Sequence, residues 1–156
     1  MQGDLFDQQP IFQGLTPVQY SRLQSLFTIS HYPVGSVIFE QGEYARYLYL
    51  VAEGEITIRF KPDDGPALVV ARVRSGGVVG WSAALGSPSY TSGAVCAADC
   101  LLLRASGGDL QTLCEEDPVL GSLLLDRLAT VIAQRLSNTH NHVITLLEKG
   151  LHLKHI

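Results

Sequence analysis

The sequence predicts a mainly β fold, a jelly-roll β-roll (double-stranded β-helix) with an N-terminal helix and a long C-terminal helix. Between about residues 30 and 104, short runs rich in β-branched and aromatic residues are separated by turns that contain glycine. A capped segment with helical period precedes this region, and helical segments follow it from about 107 to 150. Many short antiparallel strands that close on themselves are typical of a jelly roll. At 156 residues, one domain over 1–156 is expected.

The first helix is predicted from a capping box. Thr16 is suited to the N-cap, Pro17 to the first helical position, and Gln19 lies three residues after the cap. A helix of roughly ten residues should follow. Its buried positions are expected to be Leu23, Leu26 and Phe27.

The β region is predicted to contain seven short strands. Glycine is suited to the turns between them because it accepts a positive φ without steric cost. The predicted strands are Ser36–Phe39, Tyr47–Val51, Glu55–Phe60, Leu68–Val73, Val78–Val79, Ala94–Ala97 and Leu101–Arg104.

The C-terminal helices begin with a short segment at about 109–114, and Asp117 followed by Pro118 then caps the long helix. A heptad pattern on the long helix predicts a homodimer seam. Its members are Leu125, Ala129, Ile132, Leu136, Thr139, Val143, Leu146, Gly150 and Leu153. A second apolar set is suited to docking on the β-roll: Leu124, Leu128, Val131, Ile144, Leu147 and Leu151. The alternative is one broad stripe that packs only within the chain.

Composition disfavours several functional classes. The net charge is −4 without a basic cluster, which argues against direct nucleic-acid binding. The apolar stretch 119–147 is interrupted by charged residues, so no membrane span is predicted, and no Lys or Arg precedes Arg22, so no leader is expected. These features favour a cytoplasmic protein. Cys96, Cys100 and Cys114 are interpreted as reduced core thiols, with a Cys96–Cys100 redox pair as the alternative.

Enzyme chemistry is not predicted. Cupin jelly rolls assemble metal sites from several histidines on neighbouring strands, whereas only His31 lies near this β region. The pairs His140/His142 and His152/His155 do not make a convincing metal site. No nucleophile elbow, phosphate-binding loop or zinc motif occurs, so we expect no metal and no catalytic residue.

An ordered series of motifs resembles the cyclic-nucleotide-binding domain of the CRP/FNR family. Residues 32–43 read Tyr-Pro-x-Gly-x-Val-Ile-Phe-x-Gln-Gly-Glu, residues 47–55 read Tyr-x-Tyr-Leu-Val-x-x-Gly-Glu, and residues 77–80 read Gly-x-Val-Gly. The resemblance implies an eight-stranded roll with flanking helices and a dimer formed by the long C-terminal helix. Family transcription factors continue into a helix-turn-helix domain, whereas this sequence stops at Ile156, so a stand-alone regulatory module is expected.

The resemblance also places a phosphate-binding cassette at 80–85, followed by 91–95. The family uses a glutamate after the glycine for the ribose hydroxyl, and an arginine for the cyclic phosphate. Here Trp81 and Thr91 stand at those positions, with the family's spacing of ten retained. Ordinary cAMP or cGMP binding is therefore doubtful. The predicted ligand-binding positions are Gly80, Trp81, Ser82, Ala83, Thr91 and Ser92.

Two interpretations of the altered cassette stay open at this point. It could hold another small, anionic ligand with Trp81 as a stacking surface, or it could be a collapsed pocket plugged by the indole. Thr139 and His140 resemble the part of the family's central helix that contacts the base, so they are candidates for the ligand site or the seam. The expected function is a non-enzymatic, homodimeric small-molecule sensor with an unidentified ligand and, as a further option, a protein partner. The alternative is a cyclic-nucleotide regulator with an atypical cassette.

Overall fold

A computed structural model describes residues 2–63, 65–84 and 86–134. Within these ranges, eight strands form two antiparallel four-stranded sheets, with strand orders β1-β8-β3-β6 and β2-β7-β4-β5. The strands are β1 Thr28–Tyr32, β2 Val37–Phe39, β3 Tyr47–Glu53, β4 Glu55–Phe60, β5 Leu68–Arg74, β6 Val78–Val79, β7 Gly93–Cys96 and β8 Cys100–Ser106. The helices are α1 Gln2–Asp7, α2 Pro17–Gln24, α3 Gly107–Glu116 and α4 at 118–134, with 3₁₀ turns at Pro10–Phe12 and Trp81–Ala83.

The predicted strands are all present, with ends that shift by one or two residues. The bounds of β4 and β6 are those expected from the sequence. The eighth strand, β1, was not among the predicted runs. It lies at a sheet edge against β8, and its Thr-Ile-Ser-His-Tyr sequence has no fully buried residue. A strand stabilised mainly by its pairing leaves little hydrophobic pattern in the sequence.

The capping box of α2 is confirmed. The Gln19 N–H donates to Thr16 Oγ1 at 3.2 Å, and the Thr16 N–H donates to Gln19 Oε1 at 3.0 Å. The helix is eight residues long rather than ten. It ends early because the Leu26 N–H bonds the Leu23 carbonyl three residues back, at 3.1 Å, which tightens the last turn. Leu23 and Phe27 are buried as expected, and Leu26 is partly buried.

An additional helical segment precedes α2 and was not predicted. The turn at Pro10–Phe12 and helix α1 place Phe6 and Phe12 edge to face, with ring centroids 5.1 Å apart. Both rings are buried against Phe27 and the helix-side core. The polar opening of the sequence gave no periodic signal, so this segment depends on tertiary packing.

Two hydrophobic clusters organise the described residues. One lies between the two sheets, and the other lies between the β1-β8-β3-β6 sheet and the helices. Asp117 caps α4 through Oδ1, which accepts the Leu120 N–H at 3.1 Å. Within α4, Leu124 and Leu128 are buried in the helix-side cluster, so the described members of the predicted docking set do face the roll, with Val131 partly buried.

The predicted seam is only partly within the described residues. Leu125 is 47% exposed and Ala129 is exposed, as a free seam requires. Ile132 is partly buried against the helix-side cluster, so the two stripes converge there. The seam members Leu136, Thr139, Val143, Leu146, Gly150 and Leu153, and the docking residues Ile144, Leu147 and Leu151, lie outside the described residues.

The cysteines are free thiols in different surroundings. Cys96 and Cys100 are buried between the sheets, and Cys114 on α3 is partly buried. Burial, assisted by a hydrogen bond with Cys100, raises the pKa of the Cys96 thiol. A raised pKa keeps the thiol neutral and slow to react at neutral pH. Over the described ranges, no helix is long and apolar enough to cross a membrane.

The turn between β3 and β4 requires glycine. Gly54 has a φ of +100°, and a Cβ there would lie 2.5 Å from the Asp99 carbonyl oxygen. Gly54→Ala is expected to lower the free energy of unfolding by about 3 kcal/mol, because strain and overlap add. Gly42→Ala is the matched control, since its φ is +86° with nothing within 4 Å of the added Cβ, and about 1 kcal/mol is expected. If urea denaturation showed the same loss of stability for both variants, the predicted overlap with the Asp99 carbonyl would be contradicted.

Candidate functional site

The candidate site begins where β6 bends into the 3₁₀ turn. Gly80 has a φ of +75°, and a Cβ there would lie 2.7 Å from the Tyr47 carbonyl oxygen. The same Cβ would be 3.3 Å from the rings of Phe39 and Tyr90. The chain can therefore pass this close to β3 only with glycine at position 80.

Three backbone N–H groups in and just after the 3₁₀ turn at Trp81–Ala83 donate to carbonyls of residues 80–82. The Ala83 N–H donates to the Gly80 carbonyl at 3.1 Å, and the Ala84 N–H donates to the Trp81 carbonyl at 3.1 Å. The Ser87 N–H donates to the Ser82 carbonyl at 3.0 Å. These three donors are satisfied within the cassette.

A small chamber lies behind the cassette, between the two sheets. Its volume is about 20 Å³, enough for about one water molecule. The described residues that line it carry no charge: Phe39, Ile58, Gly80, Trp81, Ser82, Tyr90, Thr91 and Ser92. The chamber therefore offers neither space nor charge for a phosphate ester.

An aromatic stack, made of Phe39, Tyr49 and Tyr90, fills the adjacent interior. The Phe39 and Tyr90 rings are nearly parallel at 16°, with centroids 3.7 Å apart, and Tyr49 stacks on Phe39 at 6.1 Å. All three side chains are buried. Burial raises the pKa of the Tyr90 hydroxyl, and burial also raises the pKa of Tyr49. Both phenols are neutral at physiological pH.

The Tyr90 hydroxyl also fastens the cassette to β3. It donates to the Tyr47 carbonyl at 2.6 Å and accepts from the Tyr47 N–H at 3.0 Å. One side chain thus holds both backbone groups of Tyr47. The residue next to the arginine-equivalent position is therefore a structural clamp across the roll.

The predicted site residues divide between two surfaces. Gly80, Trp81, Ser82, Thr91 and Ser92 share the small chamber, with Thr91 itself exposed to solvent. Ala83 lines the opposite side of the cassette instead. Thr139 and His140 lie outside the described residues.

Trp81 and the aromatic stack occupy different parts of the site. Trp81 lines the chamber wall and packs against the helix-side cluster, whereas the aromatic stack occupies the interior. Sequence reasoning missed Phe39 and Tyr90 as site residues. Their only signal was position, since Phe39 lies in the first quoted motif and Tyr90 immediately precedes Thr91.

A larger groove lies on the outer side of the cassette. It has a volume of about 880 Å³ and is bounded by the cassette, the segment 44–46, α3 and α4. Leu124, Leu125 and Leu128 of α4 line it, opposite Ala83 and Ala84. The cassette and α4 are thus neighbours across an open groove whose lining is both polar and apolar.

The sequence was compared with protein families and with curated proteins. Residues 29–117 match the family described as cyclic nucleotide-binding domain. The cyclic AMP receptor protein of Thermus thermophilus is 31% identical over 127 residues, which cover 81% of this chain and 57% of that protein. The chain thus spans less than two thirds of the length of this curated relative.

Two solved structures illustrate the likeness in fold. The catabolite activator protein of Thermus thermophilus aligns with a TM-score of 0.70 and 29% identity, over 88% of this chain and 62% of that one. A regulatory subunit of a cAMP-independent protein kinase A from Trypanosoma brucei aligns with a TM-score of 0.70 and 17% identity, over 92% and 49%. The second likeness concerns the fold alone.

Tyr90→Phe tests the clamp. The ring can keep its stack on Phe39, but both hydrogen bonds to Tyr47 are lost, so we expect unfolding to become easier by about 1–3 kcal/mol. Tyr44→Phe is the matched control, because Tyr44 is 65% exposed and should change stability by less than about 0.5 kcal/mol. Thermal and urea unfolding of the two variants would show the difference, and equal stability would contradict the clamp.

Proposed function

The chain belongs to the cyclic nucleotide-binding domain family, as a regulatory module of the CRP type, and from this premise we propose that its cassette no longer recognises cAMP or cGMP in the usual way. In this proposal it is a non-enzymatic, cytoplasmic, homodimeric sensor of another small molecule. The observation that carries the proposal is the uncharged chamber of about 20 Å³ behind Gly80.

Neither Trp81 nor Thr91 carries the charge that the family's glutamate and arginine supply at these positions. A charge-assisted hydrogen bond contributes roughly 1.5–3 kcal/mol to binding. The absence of an arginine at 91 therefore lowers the affinity for a cyclic phosphate by about 10- to 150-fold. The absence of a carboxylate at 81 removes the acceptor for the ribose hydroxyl as well. Neutral hydroxyl groups at Ser92 and Thr91 replace only a part of this.

The small volume of the chamber opposes nucleotide binding independently of charge. Pockets for small molecules of this size class usually enclose about 300–1,000 Å³. The chamber is far smaller, and entry of a nucleotide would require Phe39 and Tyr90 to separate from their stack. That movement would also break the two hydrogen bonds between Tyr90 and Tyr47. Charge and volume therefore both oppose ordinary nucleotide binding.

The fold itself does not decide the ligand. The Thermus relative is named a cyclic AMP receptor, whereas the trypanosomal subunit with a similar fold belongs to a kinase described as cAMP-independent. Function therefore has to be argued from the site residues. The Thermus likeness favours the second candidate, a cyclic-nucleotide regulator with an atypical cassette, which binding measurements distinguish from the first.

Homodimer formation through α4 completes the proposal. Leu125 and Ala129 are exposed on this helix, and Leu125 borders the groove beside the cassette. An apolar row on a helix is costly in water unless a partner covers it. A second copy of the same helix is the occupant that we propose, so that a change at the cassette can alter the dimer. Direct binding of nucleic acid is not proposed, given the net charge of −4.

Nucleotide affinity is the first test of this function. We expect cAMP and cGMP to bind with dissociation constants weaker than about 100 µM, because charge and space are both lacking. Trp81, the only tryptophan, reports binding by its fluorescence, and calorimetry provides an independent measurement. A low-micromolar isotherm for either nucleotide would support the atypical-cassette alternative instead.

A gain-of-binding variant provides the positive control. Trp81→Glu with Thr91→Arg restores both groups and should tighten cAMP binding by at least about tenfold. Trp81→Gln with Thr91→Gln adds no charge and should not. If the charged pair has no effect, adding Phe39→Val separates volume from charge, since it enlarges the chamber. Folding of each variant is checked by thermal melt.

Leu125→Asp tests the dimer. The charge would be buried in the seam, whereas Leu125 is already 47% exposed in the single chain, so we expect monomers that remain folded. Light scattering should give about 16.9 kDa for this variant and twice that mass for the unchanged protein. Thr130→Asp, an exposed position on the same helix, should stay dimeric. A monomeric unchanged protein at micromolar concentration would refute the seam.

A further inference from the structure

A third pocket, with a volume of about 560 Å³, runs along the edge strand β5. Its walls come from three separated parts of the chain. They are β5 with the turn at 75–77, Pro10 of the N-terminal segment, and Val131 and Gln134 of α4. The volume lies within the usual range for small-molecule sites of about 300–1,000 Å³.

The walls of this β5 cavity are held in place before any ligand arrives. The Gly76 N–H donates to the Val51 carbonyl at 2.9 Å, and Gln9 Nε2 donates to the same carbonyl at 3.1 Å. Gln9 is buried, with 1% of its surface exposed. One carbonyl of β3 therefore fixes both the turn and the N-terminal segment. A preformed site loses less free energy to ordering when a ligand binds.

The chemistry of the β5 cavity is aliphatic with a cationic side. Valine and alanine side chains of β5 dominate the wall, and Val69 is 37% exposed. Arg72 and Arg74 also line it, and both pair with one carboxylate, Glu55, at 3.2 and 2.7 Å. Two guanidinium groups and one carboxylate leave a net charge of +1 beside the cavity, and no acidic side chain is among its described lining residues.

We propose that the β5 cavity is the ligand site of this sensor and that it takes a small amphipathic anion, an aliphatic chain that ends in a carboxylate. The aliphatic part of the ligand would lie along Val69–Val73, and its carboxylate would lie beside Arg72 and Arg74. This inference rests on the proposed function, because it supplies the non-nucleotide ligand. Val131 and Gln134 belong to the helix that carries the seam, so occupancy of the cavity is expected to act on α4 directly.

Decanoate is the probe, measured below its micelle concentration by calorimetry on the full chain. We expect saturable binding with one site per chain. Val69→Glu should weaken it at least about tenfold, because a carboxylate replaces an apolar contact next to the anion. Val37→Glu is the matched control, since Val37 is a 53% exposed valine on another strand and should leave the affinity within about twofold.

A second pair of measurements tests whether the cavity prefers a negatively charged ligand. Decylamine should bind at least about fivefold more weakly than decanoate, and Arg74→Gln should reduce this preference, whereas Arg59→Gln outside the cavity should not. Absence of saturable decanoate binding, equal loss in the two glutamate variants, or equal binding of both amphiphiles would overturn the proposal. Its failure is distinguishable from failure of the proposed function. If cAMP binds tightly and does not compete with decanoate, the proposed function is refuted, whereas the β5 cavity is still supported as a ligand site.

Discussion

The contact between the cassette and β3 is the constraint on which the rest of the site depends. Gly80 brings the backbone within reach of the Tyr47 carbonyl, and the Tyr90 hydroxyl bonds the same residue from the far side of the cassette loop. Because Tyr47 belongs to one sheet and the segment after Tyr90 enters the other, this contact joins the two sheets. The Phe39 and Tyr90 rings stack beside this contact, with centroids 3.7 Å apart.

The backbone frame and the recognition groups have separate physical origins. The positive φ values at Gly54 and Gly80 are conformations that backbone sterics reserve mainly for glycine, whatever ligand the site takes. Recognition of a ligand depends on a few side chains whose replacement leaves those sterics unchanged. Trp81 and Thr91 can therefore stand in an intact cassette while the chamber behind them has become small and uncharged. The fold therefore does not by itself determine which ligand the site takes.

The sequence was sufficient for features that depend on local patterns. The strand Glu55–Phe60 and the Thr16–Gln19 capping box are properties of a few neighbouring residues, and both were predicted correctly. Features that depend on distant contacts were not predicted. Edge strand β1 is defined by its pairing with β8, and the aromatic stack joins Phe39 to Tyr90, 51 positions apart. Nothing in either local sequence indicates that these two rings meet.

Helix α4 connects the two surfaces that could respond to a ligand. Leu124 and Leu128 lie in the groove beside the cassette, and Val131 and Gln134 lie at the β5 cavity, about one to two helical turns further on. A rigid helix transmits a displacement at one position to the other, because its side chains are fixed on a common backbone. The β5 cavity therefore contacts α4 through Val131 and Gln134 even though the aromatic stack fills the interior beside the cassette. Under the proposed function, a ligand in the β5 cavity would therefore act on the same helix as a ligand at the cassette.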